Sequence, residues 1–114
     1  MPAYAVAHMR QVTMGPAIVA YLERIDATLA PFGGRFLVHG GDVEVVEGTW
    51  PGYLIVIEFP GRAAAHDWYR SAAYQEILTL RTDNSHSDVI LIDGVDRGHT
   101  ATDVLTASAS APAS

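Results

Sequence analysis

The sequence predicts an α+β fold of the ferredoxin-like type, with elements in the order β-α-β-β-α-β. Three observations predict it. Short runs of alternating or fully apolar residues mark the strands, one long apolar stripe at helical spacing follows the first strand, and an alanine-rich helical stretch precedes the last. In this topology the strands form one antiparallel sheet and both helical regions pack on the same face of it.

Composition narrows the possible chemistry before any motif is considered. The chain has 114 residues, which suits a single domain. It contains no cysteine, which excludes disulfides and thiolate chemistry, and its seven basic residues are all arginine, which excludes a lysine Schiff base. We find no glycine-rich nucleotide motif and no serine-hydrolase motif, so no cofactor is expected.

The charge pattern argues against two classes of partner. The net charge is −6 and the arginines are scattered singly, so no basic stripe exists to neutralise nucleic-acid phosphates. The longest apolar runs have the length of strands, and the first residues do not have the pattern of a signal peptide, so none is expected. A soluble, cytoplasmic protein that binds neither nucleic acid nor membrane is the expectation.

The first half of the chain predicts a strand, a helix and a second strand. Residues 3–9 alternate as a strand does, and Gly15 with Pro16 marks the start of a helix. The helix carries an apolar stripe of Ile18, Leu22, Ile25, Leu29 and Phe32. Residues 35–39 are predicted as the second strand, after which residues 43–46 should extend a hairpin arm beyond a glycine turn.

The second half predicts two strands around a broken helix. Residues 53–59 form an apolar strand, residues 62–70 a helix, and Ser71 should cap a further helix over residues 72–81. Residues 82–87 are predicted as a polar loop and residues 88–92 as the last strand. We place the domain at 1–95 and a C-terminal extension at 96–114, whose last nine residues have a composition typical of disorder.

The face of the sheet that the helices leave bare is predicted to be apolar. Alternation places Val6, Leu37, Leu54 and Val56 on it, and such a surface is too apolar to remain in water. A second copy of the chain, packed sheet against sheet, would cover it. The sequence therefore predicts a homodimer.

Several strings together resemble the domain of unknown function 1330 family. They are FGGRFLVHGG, VEVVEGTWPG, LIVIEFP, WYRSAAYQEI, LRTDNS and DVILIDGV, and they span residues 3–95. The resemblance implies a dimeric α+β barrel, in which two ferredoxin-like subunits turn their bare sheet faces together. It implies no particular activity.

The polar residues of the strands suggest a site on the bare face. An unpartnered carboxylate under a helix would cost several kcal/mol, so Glu58 is placed on that face, and alternation adds His8, Arg35 and His39. Glu58 is then a candidate general base or acid and His39 a proton shuttle. The alternatives are an ion pair between Glu58 and an arginine, and structural roles for both histidines. His8, His39 and Glu58 form no local metal motif, so a metal is not expected.

Four further residues are predicted to contact a substrate. Arg81 on the last helix could hold a carboxylate or an enolate oxygen, with Ser85 in the following loop. Tyr69 carries a hydroxyl that needs a partner, and Trp50 lies in a turn, where it would form a lid or a dimer contact.

Two functions of different class fit these residues. The first is a cofactor-free enzyme that acts by proton transfer on a small hydrophobic molecule, as an isomerase, a cyclase or an oxygenase-like enzyme. The alternative is a non-catalytic protein that binds a small ligand or serves as an accessory to a partner. A shared cavity for Glu58, His39 and Arg81 is the expectation on which the first depends.

Overall fold

The computed structural model describes residues 1–105 and has the predicted order of elements. The strands are β1 (Ala3–Val12), β2 (Arg35–His39), β3 (Tyr53–Phe59) and β4 (Ser85–Asp93), and the helices are α1 (Pro16–Leu29), α2 (Arg62–Arg70) and α3 (Ala72–Thr82). Every strand pairing is antiparallel, in the spatial order β2-β3-β1-β4. This is the ferredoxin-like α+β fold that the sequence predicts.

Helix α1 begins and ends where the sequence indicates. Gly15 is its N-cap and Pro16 its first residue, and a 3-10 turn over Ala30–Phe32 ends it. The buried stripe is shifted from the predicted one, because Tyr21 and Thr28 are buried while Leu22 is 42% exposed. The helix thus presents a wider, partly polar face to the sheet than the stripe of aliphatic residues suggested.

The second helical region is broken at Ser71, as predicted. The Ser71 hydroxyl accepts a hydrogen bond from the Tyr74 backbone N–H at 3.2 Å and caps α3. On α3, Tyr74, Ile77 and Arg81 are the buried residues. Their spacing of three and four places all of them on the side that faces the domain interior.

Strands β1 and β3 alternate between the two faces as predicted. Ala5 pairs with Ile57, and both are buried beneath the helices. Val6 pairs with Val56 on the opposite, bare face. On β4, next to β1, Ile90 and Ile92 extend the bare face and are about half exposed, at 53% and 47%.

Strand β2 departs from simple alternation. Phe36 pairs with Ile57, but Val38 pairs with Val56 and His39 with Ile55, so the register shifts by one residue at Leu37. This bulge places Val38 on the bare face and His39 on the helix face. The predicted positions of Val38 and His39 were therefore wrong, since a single extra residue inverts every later side chain.

Two other boundaries differ from the predictions. Residues 43–46 form no strand, because β2 ends at His39 and the chain runs as a loop until Tyr53. Strand β4 begins at Ser85 and not at residue 88, since Ser85 and His86 pair with Val12 and Gln11 across a bulge in β1. The predicted polar loop is correspondingly shorter.

The loop before β3 is fixed against β1 by close backbone contact. Gly52 has a φ of +82°, and a Cβ placed on it would lie 1.9 Å from the Met9 carbonyl oxygen. Only glycine fits such an approach with a positive φ. Nearby, the His8 ring hydrogen-bonds the Pro51 carbonyl at 2.7 Å and stacks on Trp50 with centroids 4.1 Å apart.

The predicted disorder of the last nine residues concerns positions 106–114, which lie outside the described part of the chain. Within residues 1–105, none of the helices has both the length and the apolar character needed to cross a bilayer.

Candidate functional site

A cavity of about 280 Å³ lies between the sheet and the helices. Its floor is formed by small and aliphatic residues of the central strands, among them Ala5, Ala7, Ile55 and Ile57. Alanines at two successive inward positions of β1 leave room that larger side chains would fill. The cavity is therefore a consequence of the sequence of β1, and it lies on the face opposite to the one predicted.

Helix α1 and the aromatic residues of the second helical region close the cavity from above. Ile18, Tyr21 and Ile25 of α1 contribute to the lining, together with Trp68 of α2 and Tyr74 of α3. Trp68 is 3% exposed, and its indole N–H donates to the Thr28 hydroxyl at 3.0 Å. The indole N–H has its hydrogen-bond partner within the core, so Trp68 serves to pack the helices against the sheet.

Arg81 brings a positive charge into these apolar surroundings. The residue is 5% exposed and lines the cavity. Its Nη1 donates to the Ser87 hydroxyl at 2.8 Å, and its Nη2 donates to the Tyr74 hydroxyl at 3.4 Å. The Tyr74 and Tyr21 hydroxyls hydrogen-bond each other at 2.7 Å. These residues form one polar cluster, which we call the Arg81 cluster: Arg81, Tyr74, Tyr21 and Ser87.

The surroundings of this cluster shift two pKa values. Burial, together with the neighbouring Tyr74, raises the pKa of Tyr21 well above its ordinary value. Burial alone would lower the pKa of Arg81, but the phenol oxygens of Tyr74 and Tyr21 outweigh burial and raise it. Tyr21 is therefore protonated and Arg81 charged at any physiological pH, so both act as hydrogen-bond donors.

Arg81 has no acidic partner in the described chain. The arginines that form ion pairs within residues 1–105 are Arg10, Arg24, Arg35 and Arg62, each with an aspartate or glutamate. For Arg81, the bonded groups are neutral hydroxyls. A buried charge without a counter-charge is unusual, because its loss of hydration is only partly compensated by neutral dipoles.

His39 lies at the rim of the same cavity. Its ring stacks on Phe36, with centroids 4.2 Å apart and an angle of 9° between the rings, and both residues line the cavity. His39 is on the edge strand β2, while Arg81 bonds Ser87 on the opposite edge strand β4. Three strand spacings, about 14 Å, separate those strands.

Glu58 does not share this cavity. It pairs with Tyr4 and Arg35 on the bare face, where its Oε1 accepts from Arg35 Nε at 3.0 Å. His8 is on that face too, but four residues along β1 from Tyr4, which corresponds to about 13 Å. The predicted convergence of Glu58 with the histidines is therefore not found, and the alternative of an arginine ion pair describes the observed contact.

The remaining predicted residues lie outside the cavity lining. Trp50 is stacked on His8 at the bare face. The Tyr69 ring contacts those of Trp68 and Tyr74, and it lines a separate pocket with His66 and residues of β4. The Ser85 hydroxyl donates to the Arg81 carbonyl at 2.8 Å and supports the end of α3.

Only Arg81 of the cluster was predicted as a site residue, and Ser87 belonged to the predicted polar loop. Tyr21 was not predicted to take part in a site. It lies three residues after Ile18 and four before Ile25, so helical spacing already placed it on the buried face. The predicted stripe contained only Ile18, Leu22, Ile25, Leu29 and Phe32, and a buried tyrosine was not expected beside it.

The described residues offer no ready metal site. No group of three or more histidine, aspartate or glutamate side chains within residues 1–105 is arranged to hold a metal ion.

Solved structures with this fold share little sequence with the chain. A protein of unknown function from Rhodopseudomonas palustris is 20% identical, with a TM-score of 0.63 and 83% of each chain covered. A dimeric ferredoxin-like protein of unknown function from Jannaschia sp. CCS1 is 11% identical, with a TM-score of 0.58, and covers 82% of this chain and 100% of its own. SnoaB, a cofactor-independent oxygenase from Streptomyces nogalater, is 12% identical, with a TM-score of 0.52, over 85% of this chain and 94% of its own. At these identities the likeness shows the fold alone.

No curated protein matches the sequence. The family described as a domain of unknown function, DUF1330, matches residues 2–95, which is nearly the whole folded part. The resemblance carried by the sequence strings is thereby confirmed, and the chain belongs to the DUF1330 family.

Proposed function

We propose that the protein binds a small, mostly apolar molecule in the helix-side cavity and transforms it by proton transfer without a cofactor. The observation that carries this proposal is an apolar cavity of about 280 Å³ that contains a single buried arginine. Its volume is slightly below the range for drug-sized ligands, which begins at about 300 Å³, so the ligand must be small. Isomerisation and cyclisation are the reaction types that need nothing beyond the substrate.

Two residues have roles in this proposal. Arg81 orients an oxygen of the substrate, and His39 accepts a proton from a carbon near the rim and returns it to another position. The proton balance is closed, because the histidine ends the cycle as it began. An oxygenase-like variant would require dioxygen as co-reactant, and the likeness to SnoaB supports it only at the level of the fold.

Glu58 is not given a role in this chemistry, because its side chain is on the opposite face of the sheet. The ion pair between Glu58 and Arg35 lies on the bare face, which also carries the apolar residues Val38 and Val56. These apolar residues support a homodimer. We propose that a second copy covers this face. The exposed Ile90 and Ile92 support this, as does the dimeric state of the Jannaschia protein.

A non-catalytic binding protein is the second candidate. It is favoured by the composition of the cavity lining, in which His39 is the one histidine and no aspartate or glutamate is present. A single exposed histidine offers few groups for catalysis, which is consistent with a protein that only binds its ligand.

Filling the cavity tests whether it binds anything. We expect Ala7→Phe to abolish the chemical-shift changes that small aryl ketones and arylacetic acids cause in the protein's NMR spectrum. Ala63→Phe, at an exposed position of α2, should leave them unchanged. Binding that survives Ala7→Phe would contradict the cavity as the site.

Deuterium uptake from D₂O into an arylacetone separates the two candidates. The enzyme should accelerate exchange of the acidic C–H, and His39→Ala should remove the acceleration while binding persists. Binding without any exchange in the wild type would favour the non-catalytic protein.

A further inference from the structure

We infer that the Arg81 cluster is the receptor for one anionic oxygen group of the cavity ligand, either a carboxylate or the ionised oxygen of an acidic phenol or enol. The inference rests on the proposed function, namely that this cavity binds a small molecule. It narrows the ligand to a hydrophobic monoanion.

The first argument is the missing counter-charge. Arg81 is 5% exposed, and within residues 1–105 it has no aspartate or glutamate at ion-pair distance. Residues 106–114 contain no acidic side chain. A ligand anion in the cavity would supply the charge that residues 1–105 do not, and in a site shielded from water this attraction is strong.

The second argument is the direction of the hydrogen bonds. Arg81 Nη2 donates to the Tyr74 oxygen, and Tyr74 can in turn donate to the Tyr21 oxygen at 2.7 Å. The Tyr21 hydrogen is then free to point into the cavity that its side chain lines. Each bond in such a chain polarises the next, so the positive charge of Arg81 strengthens the Tyr21 donor.

The third argument concerns the kind of anion. Among the buried residues of the lining, Arg81 is the cation and the Tyr21 hydroxyl is the donor directed at the cavity, whereas His39 and Tyr53 are exposed. A phosphate or a dicarboxylate would bring a second charge that no further arginine of the lining could meet, and His39 is on the edge strand opposite to the one that Arg81 bonds. One charged oxygen group on an aromatic or aliphatic body matches both the donors and the walls.

The test compares probes that differ in charge and little in shape. Phenylacetate and phenylacetamide are titrated into the full-length protein and followed by NMR chemical shifts. We expect the acid anion to bind at least ten-fold more tightly than the amide. 4-Nitrophenol, measured below and above its own pKa, then shows whether an ionised phenol is accepted as well as a carboxylate.

Variants of the Arg81 cluster show whether it causes the preference for the acid anion over the amide. Arg81→Met should reduce the ratio of the two affinities to about one, and Tyr21→Phe should reduce it several-fold without loss of phenylacetamide binding. Arg24→Met, which removes an exposed arginine on α1, should leave the ratio unchanged. If Arg81→Met does not fold, the wild-type ratio and Tyr21→Phe still decide the question.

The possible results separate the two proposals. Equal affinity for the acid anion and the amide would overturn the anion receptor and leave the cavity proposal standing. No binding of any probe at millimolar concentration would overturn both. A preference for the anion that Arg81→Met does not reduce would place the receptor elsewhere.

Discussion

Glu58 and His39 lie on opposite faces of the sheet, although both are strand residues that strict alternation assigns to one face. The cause is the register shift of β2 at Leu37, after which His39 pairs with Ile55 and faces the helices. Glu58 remains on the bare face, bonded to Arg35. His39 and the Arg81 cluster therefore line the cavity, and Glu58 lies on the bare face.

The position of Glu58 predicts that its charge has no influence on the cavity. Glu58→Gln should leave phenylacetate affinity unchanged within two-fold and should reduce the free energy of unfolding by less than about 1 kcal/mol, since the ion pair with Arg35 is partly exposed. Ligand titration and urea denaturation measure the two quantities. A ten-fold loss of affinity would mean that the two faces are coupled.

Replacing Arg81 predicts an unusual combination of results. Because Arg81 is buried without a counter-charge, Arg81→Met should change the free energy of unfolding by no more than about 2 kcal/mol in either direction, while anion binding is lost. Urea denaturation without ligand gives the first quantity.

Arg24→Met is the matched control, because Arg24 forms an exposed pair with Glu76 and should affect neither property by much. A loss of about 3–5 kcal/mol for Arg81→Met, as large as the loss when a buried ion pair is broken elsewhere, would identify Arg81 as structural.

The raised pKa of Tyr21 predicts sensitivity to alkali. In the unfolded chain a tyrosine ionises near pH 10, whereas in the folded protein Tyr21 stays protonated to higher pH. The folded state therefore holds an extra proton above about pH 10, and its stability should fall there by up to about 1.4 kcal/mol per pH unit. Tyr21→Phe should flatten this part of the stability curve.

Urea denaturation between pH 8 and pH 11 measures the effect. Tyr53→Phe is the control, because Tyr53 is 50% exposed. An unchanged slope in Tyr21→Phe would contradict the buried phenol as its source.

The close approach at Gly52 predicts a severe effect of one methyl group. In Gly52→Ala the new Cβ would overlap the Met9 carbonyl at a φ of +82°, so the loop must move away from β1. We expect a loss of about 2–4 kcal/mol, in the upper range for single substitutions. Gly41→Ala meets nothing within 4 Å and should be nearly neutral by the same denaturation measurement.

The bare face predicts the oligomeric state. Val56→Glu, in the centre of that face, should convert the proposed dimer to a monomer because two buried carboxylates would face each other without partners. Sedimentation velocity measures the mass. Val19→Glu, at an exposed position on α1, should remain dimeric. A monomeric wild type would contradict the proposal directly.

Much of the fold followed from residues that act locally. Pro16 after Gly15 started α1, Ser71 capped α3, and the alternation in β1 and β3 assigned their faces correctly, because backbone geometry at those positions depends on neighbours in the chain. The family strings pointed to the same fold, and the match over residues 2–95 agrees. Arg81 was also predicted to lie on the same side of its helix as Tyr74 and Ile77, and all three are buried together.

The site depended on contacts between residues far apart in the chain. The inward turn of His39 depends on how β2 pairs with β3, and the cavity depends on the space that Ala5 and Ala7 leave beneath Tyr21. By itself the sequence determined the elements and their order, since propensity, capping and alternation are local. Only the tertiary structure decided which face holds the cavity and which way His39 points, because one unpaired residue in an edge strand inverts the side chains that follow it.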